Sequence, residues 1–583
     1  MGLLQDQPLR MLKEKHGLHA LAQTETWFIP ADWTQTDDGN LALNFQLSLL
    51  NLDFAGVLVY PSLFPGTPAY IRPQKYGEDW SAHQYGGAGV LCLEYGPDNW
   101  HDGVTGTDLV RSAYQLLAHE IVAVVLETSP ATPSRHQQNI GQILRFKNNR
   151  FIITRELRNV LNSMPDGACQ PIRTCITFSG GTSTTIVTQF GDGDDNRIKD
   201  VPDGVEKEFF ERQGWAVCDQ RLIGMPAAST ITELCTTLEK IGRWPWDGLL
   251  ADTHKTLLLL PPGGEPRTFT IYGGEKPTIW ECKAVAFDCD NAQRLPNQFS
   301  SIGKEWVAIV GIGSVGSKIA VSLARSGVRN FVLVDDDILA PQNLVRHQLT
   351  WRSVGFHKVE GVAQELRLIA PDVKVLTKSL RLAGQENPRS SAELLDTLSL
   401  CRFVVDATAN ANVFVTLAAI CKKGKSTLVW GELFSGGSGA LMARSRPGVD
   451  ADPLRVRNHI NGCLETFPPA PDKRAKSYDL MADGDVIVAG DAEVSMLAAS
   501  MTQFVLDAIC APEESQFPFS AYLMGYKKYW VFEQPFITIP IDCTMALATT
   551  TYDAPMTQEE QAEVDTFAAS IEGGTHAANI SSS

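Results

Sequence analysis

One run, WVAIVGIGSVGSKIAVSLARSGVRNFVLVDDD from Trp306 to Asp337, restricts the fold of this chain more than any other feature. An apolar strand enters a glycine-rich turn, a helical pattern follows, and a second apolar strand ends in acids. Gly311, Gly313 and Gly316 give G-x-G-x-x-G at the strand-to-helix junction. Small residues there let backbone N–H groups and the helix dipole approach phosphate oxygens. Asp335, 24 positions after Gly311, ends the next strand, where a carboxylate can accept hydrogen bonds from ribose hydroxyls. Two further apolar runs, CRFVVDATAN and STLVWGELF, with helical segments between, imply an α/β fold with a doubly wound, mostly parallel sheet. The turn and the acid suit NAD as well as ATP.

Asn343, Arg346 and Lys358 follow the ribose acid, and three polar or cationic groups are more than NAD needs. A triphosphate attacked at its α-phosphorus carries about four negative charges and calls for cations and a metal ion. The run from Gly311 to Val375 resembles the adenylation domain of the E1/MoeB/ThiF family, with its GxGxxG, D-x-D, N-x-x-R and following lysine. The resemblance implies that ATP and Mg²⁺ are used, that Asp335 holds the ribose and that Asn343 and Arg346 reach the phosphates. It further implies that Lys358 stabilises the leaving pyrophosphate and that Asp337 fixes the loop. Where the family has D-x-T-D-N near the metal, this chain reads Asp406-Ala407-Thr408-Ala409-Asn410. Asp406 is then the nearest metal carboxylate, or else a strand-end acid bonded to backbone amides. Arg294 is the candidate for an arginine the family contributes from a preceding segment, often across a dimer, and a homodimer is implied.

An acyl adenylate can be captured by a thiolate, because a cysteine both attacks and leaves well. Among the twelve cysteines, Cys543 in PFITIPIDCTMALATT is the first choice for that step. Cys463, with His459 four residues before it, is the alternative, and a structural role for both stays open. No cysteine pair has C-x-x-C spacing, so no structural zinc is predicted.

Residues 1–150 read as a small α+β domain with strands in LALNFQLSLL and FAGVLVYPSLFP and a helix in TDLVRSAYQLLAHEIVAVV capped by Thr107 or Asp108. Its long loop, SAHQYGGAGVLCLE followed by Asp98-Asn99-Trp100, resembles the ubiquitin-conjugating E2 active site. The resemblance implies that Cys92 is a second thioester site. The usual His-Pro-Asn has become His83-Gln84-Tyr85, leaving Asn99 or backbone amides to stabilise an oxyanion. Residues 151–295 mix strand-like and helical runs and read as a mixed α/β linker domain. Residues 296–556 form the adenylation and cysteine region, and 557–583 an acidic, Ser-rich tail with one short helix.

The formal charge of −17 argues against a nucleic-acid binder. The N-terminus lacks a signal pattern and the apolar runs are too short for a bilayer, so no membrane partner and a cytoplasmic location are expected. Together the segments resemble the E2–E1 fusion proteins of bacterial anti-phage operons. In CBASS systems of that type the resemblance implies conjugation of the C-terminus of a cGAS/DncV-like nucleotidyltransferase, or of a ubiquitin-like protein, to a target amine. A sulfur-carrier activator that only adenylates, a non-catalytic scaffold and an NAD enzyme are the other readings.

Overall fold

The computed structural model describes residues 2–50, 52–75, 78, 80–81, 83–85, 89–125, 140–145, 147–202, 204–205, 210–226, 228–239, 255–273, 275–287, 295, 299, 302–469, 481–482, 485–486, 489–511, 514–544 and 557–578. Its contacts divide the chain into two units, 1–143 and 144–583.

In the first unit, α1 (Pro8–Thr24) opens on a proline, whose missing N–H costs nothing in a first turn. It buries Met11, Glu14, Leu18 and Leu21, one stripe at helical spacing. Beside it lies an antiparallel meander of β1 (Phe28–Gln35), β2 (Leu41–Leu49), β3 (Leu52–Tyr60) and β4 (Tyr70–Pro73). The carboxylate of Glu14, 1% exposed, pairs with Arg10 at 2.9 Å and accepts from Tyr60 Oη at 3.1 Å and Gly106 N at 2.6 Å. One buried acid therefore ties α1 to β3 and to the first residue of α2 (Gly106–Val125). The cap of α2 is Thr105, earlier than predicted. Its N–H donates to the Asp108 carboxylate at 2.9 Å while its hydroxyl accepts from Asp108 N at 3.4 Å, a reciprocal box that satisfies two orphan groups.

The second unit begins with a closed barrel. Its strands are β5 (Asn149–Ile153), β6 (Cys169–Ser179), β7 (Thr182–Phe190), β8 (Phe210–Cys218), β9 (Lys255–Leu260), β10 (Arg267–Tyr272) and β11 (Thr278–Ala286). Their order is β8-β9-β10-β11-β5-β7-β6, and β6 pairs back on β8. Closure leaves no free edge. The helices α3 (Arg155–Asn162) and α4 (Ile231–Glu239) pack on apolar side chains of these strands. The mixed linker read from the sequence is thus mainly a β-structure.

The adenylation region is the predicted doubly wound sheet. From one edge it runs β14 (Lys374–Lys378), β13 (Asn330–Val334), β12 (Trp306–Val310), β15 (Phe403–Asp406) and β16 (Thr427–Phe434), all parallel. Three antiparallel strands extend it: β17 (Gly439–Ser445), β18 (Ala521–Gly525) and β19 (Thr538–Ile541). Helices α5 (Ser314–Arg325), α6 (Lys358–Ile369) and α10 (Asp491–Cys510) share one apolar core with Val307 and Ile309. On the other face α7 (Pro388–Ser399), α8 (Ala411–Gly424) and α9 (Pro453–Glu465) pack with Ala308 and Val310.

By length and composition α10 could cross a bilayer, a run that the sequence reading passed over. Its Leu497, Met501, Phe504 and Val505 are 0% exposed in this core. The last described helix, α11 (Gln558–Ala578), is longer than the short helix expected of the tail.

A buried ion pair fastens α10 to the sheet. Arg444 on β17, 0% exposed, donates to Asp507 at 2.6 Å, Ser515 Oγ at 2.6 Å and Phe517 O at 2.9 Å, and lies 4.6 Å from the Phe504 ring centroid. Removing one partner strands the other in low dielectric. We expect Arg444→Ala to cost about 3 kcal/mol of stability, read as a lower midpoint in urea unfolding of the full chain.

Candidate functional site at the sheet's switch point

The chain leaves β12 toward β13 on one side and returns through β15 on the other, so a crevice opens at the carboxyl ends of β12 and β15. Gly311 turns the corner with φ of +86°, and a Cβ there would lie 2.8 Å from Thr408 Cγ2 and 3.0 Å from the Ala407 carbonyl carbon. A Cβ on Gly316 would meet the Gly311 oxygen at 1.9 Å, so the third glycine lets α5 sit against the turn. Nothing lies within 4 Å of a Cβ built on Gly313. That open side, at the positive end of α5, can admit a phosphate.

Asp335 closes the turn from β13. Its carboxylate accepts from Ile312 N at 2.7 Å and from Asp337 N at 2.9 Å, one bond to each oxygen, which leaves further lone pairs for ribose hydroxyls. Burial raises its pKa, opposed by the Asp337 N–H, the charge of Lys358 and the Ile312 N–H. Lys358, the first residue of α6 and 7% exposed, is held in a short ion pair by the Asp337 carboxylate. Despite its own desolvation, the pair with Lys358 leaves the Asp337 pKa lowered. Asn343 Oδ1 accepts from Ala340 N at 2.9 Å, and Arg346 caps the same short helix, its N–H donating to Asn343 O at 3.1 Å. The sequence thus brings Gly311, Gly313, Gly316, Asp335, Asp337, Asn343, Arg346 and Lys358 onto three adjoining segments. Arg294 lies outside the described residues.

Sequence reasoning missed His347. Its Nδ1 accepts from Leu349 N at 3.1 Å and its Nε2 donates to Ile312 O at 2.9 Å, which fixes the neutral Nε2–H tautomer. Burial, chiefly, lowers its pKa. Asp335 and His347 therefore grip the two polar groups of one residue, Ile312. The only signal in the sequence was a histidine directly after Arg346.

Asp406, 3% exposed, uses Oδ1 to accept from Thr408 N at 3.0 Å and Thr408 Oγ1 at 2.6 Å. It is bonded to a backbone amide, and it lines a pocket with Ala409, Asn410, Glu432, Arg457 and Asn461. Burial raises its pKa most, the Thr408 bonds and Arg457 oppose that, and Glu432 adds to it. Glu432 was missed, although an acid inside the apolar strand TLVWGELF was visible. Among the described residues no three His, Cys, Asp or Glu side chains cluster. Asp406 and Glu432 line the same pocket, and Mg²⁺ generally binds through one or two acids plus phosphates and water.

The three candidate cysteines differ. Cys543 is 5% exposed, and burial pushes its thiol up to about 11, with the charges of Cys463, Asp450 and Asp542 adding to the effect. Cys463 is half-buried on α9, and its sulfur is 3.4 Å from His459 Nε2. In the first unit Cys92 is half-buried and its N–H donates to His83 O at 2.8 Å. Burial raises its thiol pKa, and a hydrogen bond with the Tyr85 side chain opposes this. Asn99, one expected oxyanion donor, uses both ends of its amide in its own turn: Oδ1 accepts from Gly96 N and Nδ2 donates to Glu94 O, each at 2.8 Å. In the same loop Ala82 and residues 86–88 lie outside the described residues.

Residues 295–531 match the ThiF family, so with the sheet and glycine turn this region is a ThiF/E1-like adenylation domain, and members of that family are enzymes. Among curated proteins, the chain is 32% identical over 155 residues to the ATP-dependent ubiquitin transferase-like protein Cap2 of Enterobacter hormaechei, covering 27% of this chain and 25% of that protein. It is 27% identical over 219 residues to Cap2 of Vibrio cholerae, covering 35% of each. Against ubiquitin-like modifier-activating enzyme 5 of Aedes aegypti it is 32% identical over 126 residues, covering 20% of this chain and 32% of that one. The matches thus span between a quarter and about a third of these relatives' own lengths. The crystal structure of E. coli MccB with ATP aligns at a TM-score of 0.30 and 17% identity, over 43% of this chain and 69% of that one.

The environment of Asp406 gives a sign for pH dependence. Its folded pKa is raised above the unfolded value, so its ionisation destabilises the fold as pH rises through that window and beyond. We expect Asp406→Asn, which keeps an oxygen for Thr408, to melt at or above the parent at pH 8. The difference should shrink as pH falls toward the ordinary carboxylate range of the unfolded chain, followed by differential scanning fluorimetry.

Proposed function

We propose that the chain adenylates the C-terminal carboxylate of a protein with ATP and conjugates that terminus to an amine. What supports this reading is the glycine turn itself, with Asp335 bonded to Ile312 N and to Asp337 N and Lys358 paired with Asp337, in a region that matches the ThiF family. In this reading Asp335 holds the ribose, and the amides at the start of α5 with Asn343 and Arg346 hold the phosphates. A substrate carboxylate oxygen attacks the α-phosphorus, pyrophosphate leaves, and Lys358, exchanging its contact with Asp337 for the leaving oxygens, offsets their charge. Asp406 and Glu432 are the residues that would hold Mg²⁺, which supplies charge neutralisation on the phosphates.

The acyl group then passes to a thiol of the Cys463/Cys543 pair, releasing AMP and a proton. Cys463 is partly exposed with an imidazole at 3.4 Å, whereas Cys543, the first choice from the sequence, must be uncovered before it can attack. Exchange onto Cys92 of an E2-like domain over residues 1–150 completes the relay, and attack by an amine releases Cys92. Tyr85, bonded to the Cys92 sulfur, takes the place of the missing asparagine as oxyanion donor. Residues 151–295 link the two catalytic segments, and 296–556 carry adenylation and the acceptor thiol. The likeness to the Cap2 proteins supports a cytoplasmic anti-phage role of the CBASS type, acting on a cGAS/DncV-like nucleotidyltransferase, with the adenylation domains paired in a homodimer. Adenylation without conjugation is the second reading, favoured by the burial of Cys543.

With a neighbouring-gene nucleotidyltransferase as substrate, we expect ATP–pyrophosphate exchange that falls at least a hundredfold in Lys358→Ala and Arg346→Ala. No exchange in the parent would leave only a scaffold. We expect a thiol-reducible adduct on the parent that is lost from Cys92 in Cys92→Ala and slowed about tenfold in Tyr85→Phe. Comparison of Cys463→Ala with Cys543→Ala names the acceptor. Exchange without any adduct would establish the second reading.

A further inference from the structure

The inward faces of the barrel strands are apolar at one end, where Ile172, Ala216, Leu258 and Phe151 pack under α3. Further along β6, β8 and β9, two residues from Ile172 and Leu258 and four from Ala216, the same faces carry Thr174, Arg212 and Thr256. Thr174 and Thr256, both 0% exposed, share a hydrogen bond of 2.9 Å. Thr268 on β10 is also 0% exposed, and its Oγ1 has no partner. Arg212 is 8% exposed, its Nη1 is buried without an acceptor, and its guanidinium lies 4.9 Å from the Tyr272 ring centroid.

An arginine inside a fold is an anomaly of a particular kind. Lysine or aspartate can shed its charge when desolvated, but a guanidinium stays charged. A buried unpaired charge costs several kcal/mol, and an aromatic face offsets only about 2 kcal/mol of that. Two described acids on these strands face away. Glu211 and Glu281 pair on the outer surface with Arg173 at 3.6 Å and Arg267 at 2.7 Å, because odd and even positions of a strand face opposite ways. Among the described residues no carboxylate pairs with Arg212.

We propose that Arg212 anchors an oxyanion, a carboxylate or a phosphate group, at the threonine-lined end of the barrel. The guanidinium fork takes two oxygens. This site is separate from the nucleotide crevice and does not rest on the adenylation reading. It would give residues 149–286 a ligand of their own.

Thermal melts of the full chain at constant ionic strength test it, with sodium phosphate or sodium acetate replacing chloride up to tens of millimolar. We expect a saturable rise in Tm of about 2 to 4 °C over chloride in the parent. A rise with phosphate alone identifies a phosphate group, and one with acetate identifies a carboxylate. In Arg212→Met the rise is lost and the melt in chloride lies above that of the parent, since an unpaired buried charge has been replaced by an apolar chain. Arg212→Lys, which keeps the charge without the fork, retains a smaller rise. General salting-out by phosphate is common to all variants, so the difference between parent and variant reads the site. An equal response to every anion in the parent, or an undiminished rise in Arg212→Met, overturns the proposal.

Discussion

The approach of Gly316 to the carbonyl oxygen of Gly311 is the contact on which the adenylation region depends. With a Cβ only 1.9 Å from that oxygen, no other residue lets α5 descend onto the end of β12. Once it does, the first amides of the helix stand at the crevice. The opposite flank of Gly311 packs against Ala407 and Thr408, which draws the end of β15 into the same corner. Asp335 and His347 then clamp Ile312 from two other segments. Four stretches of chain meet at this corner, and the open side of Gly313 is the space they leave.

Much of this was legible because it is local. An apolar run, a glycine turn, a helical period and an acid occur within one stretch of sequence, and each is set by neighbours a few residues away. The strands β15 and β16 were visible for the same reason, being buried on both faces and so continuously apolar. The clamp by His347 was not, since its partners Ile312 and Leu349 are chosen by how the loop folds back. Nor was closure of the barrel. The antiparallel pairing of β6 with β8 and the parallel pairings of β5 with β11 and β7 are non-local, and threonines in the interior broke the apolar alternation that would have marked its inner face. In the first unit Thr105 was overlooked as a cap because the box that identifies it needs Asp108 to turn back on it.

The cysteines show the other limit of sequence. Local context favoured Cys543 over Cys463, since a strand and two polar neighbours look like an exposed loop. Burial is decided elsewhere: Cys543 joins the core beneath α8 and α9, whereas Cys463 lies one helical turn from His459, an i, i+4 relation that the sequence did contain. Reactivity of a thiol depends on both access and a nearby base. On those two grounds the described conformation favours the residue that local context ranked second.

Ala409 looked like a missing metal ligand, yet its backbone keeps the shape of a position suited to aspartate or asparagine. With φ of +50° it occupies the left-handed region, where alanine costs about 1 kcal/mol relative to residues that bond locally. The turn is therefore maintained by its surroundings, chiefly Asp406 bonding Thr408 and Asn410 capping α8 through Asn412 N at 2.9 Å. What the loop lacks in charge, the neighbouring strand supplies through Glu432, which faces the same pocket. Two carboxylates directed at one space repel each other, and Arg457, stacked 4.3 Å from the Phe414 ring centroid, only partly offsets them. Asp406 and Glu432 thus line one pocket, and the charge of Glu432 adds to the burial that raises the Asp406 pKa.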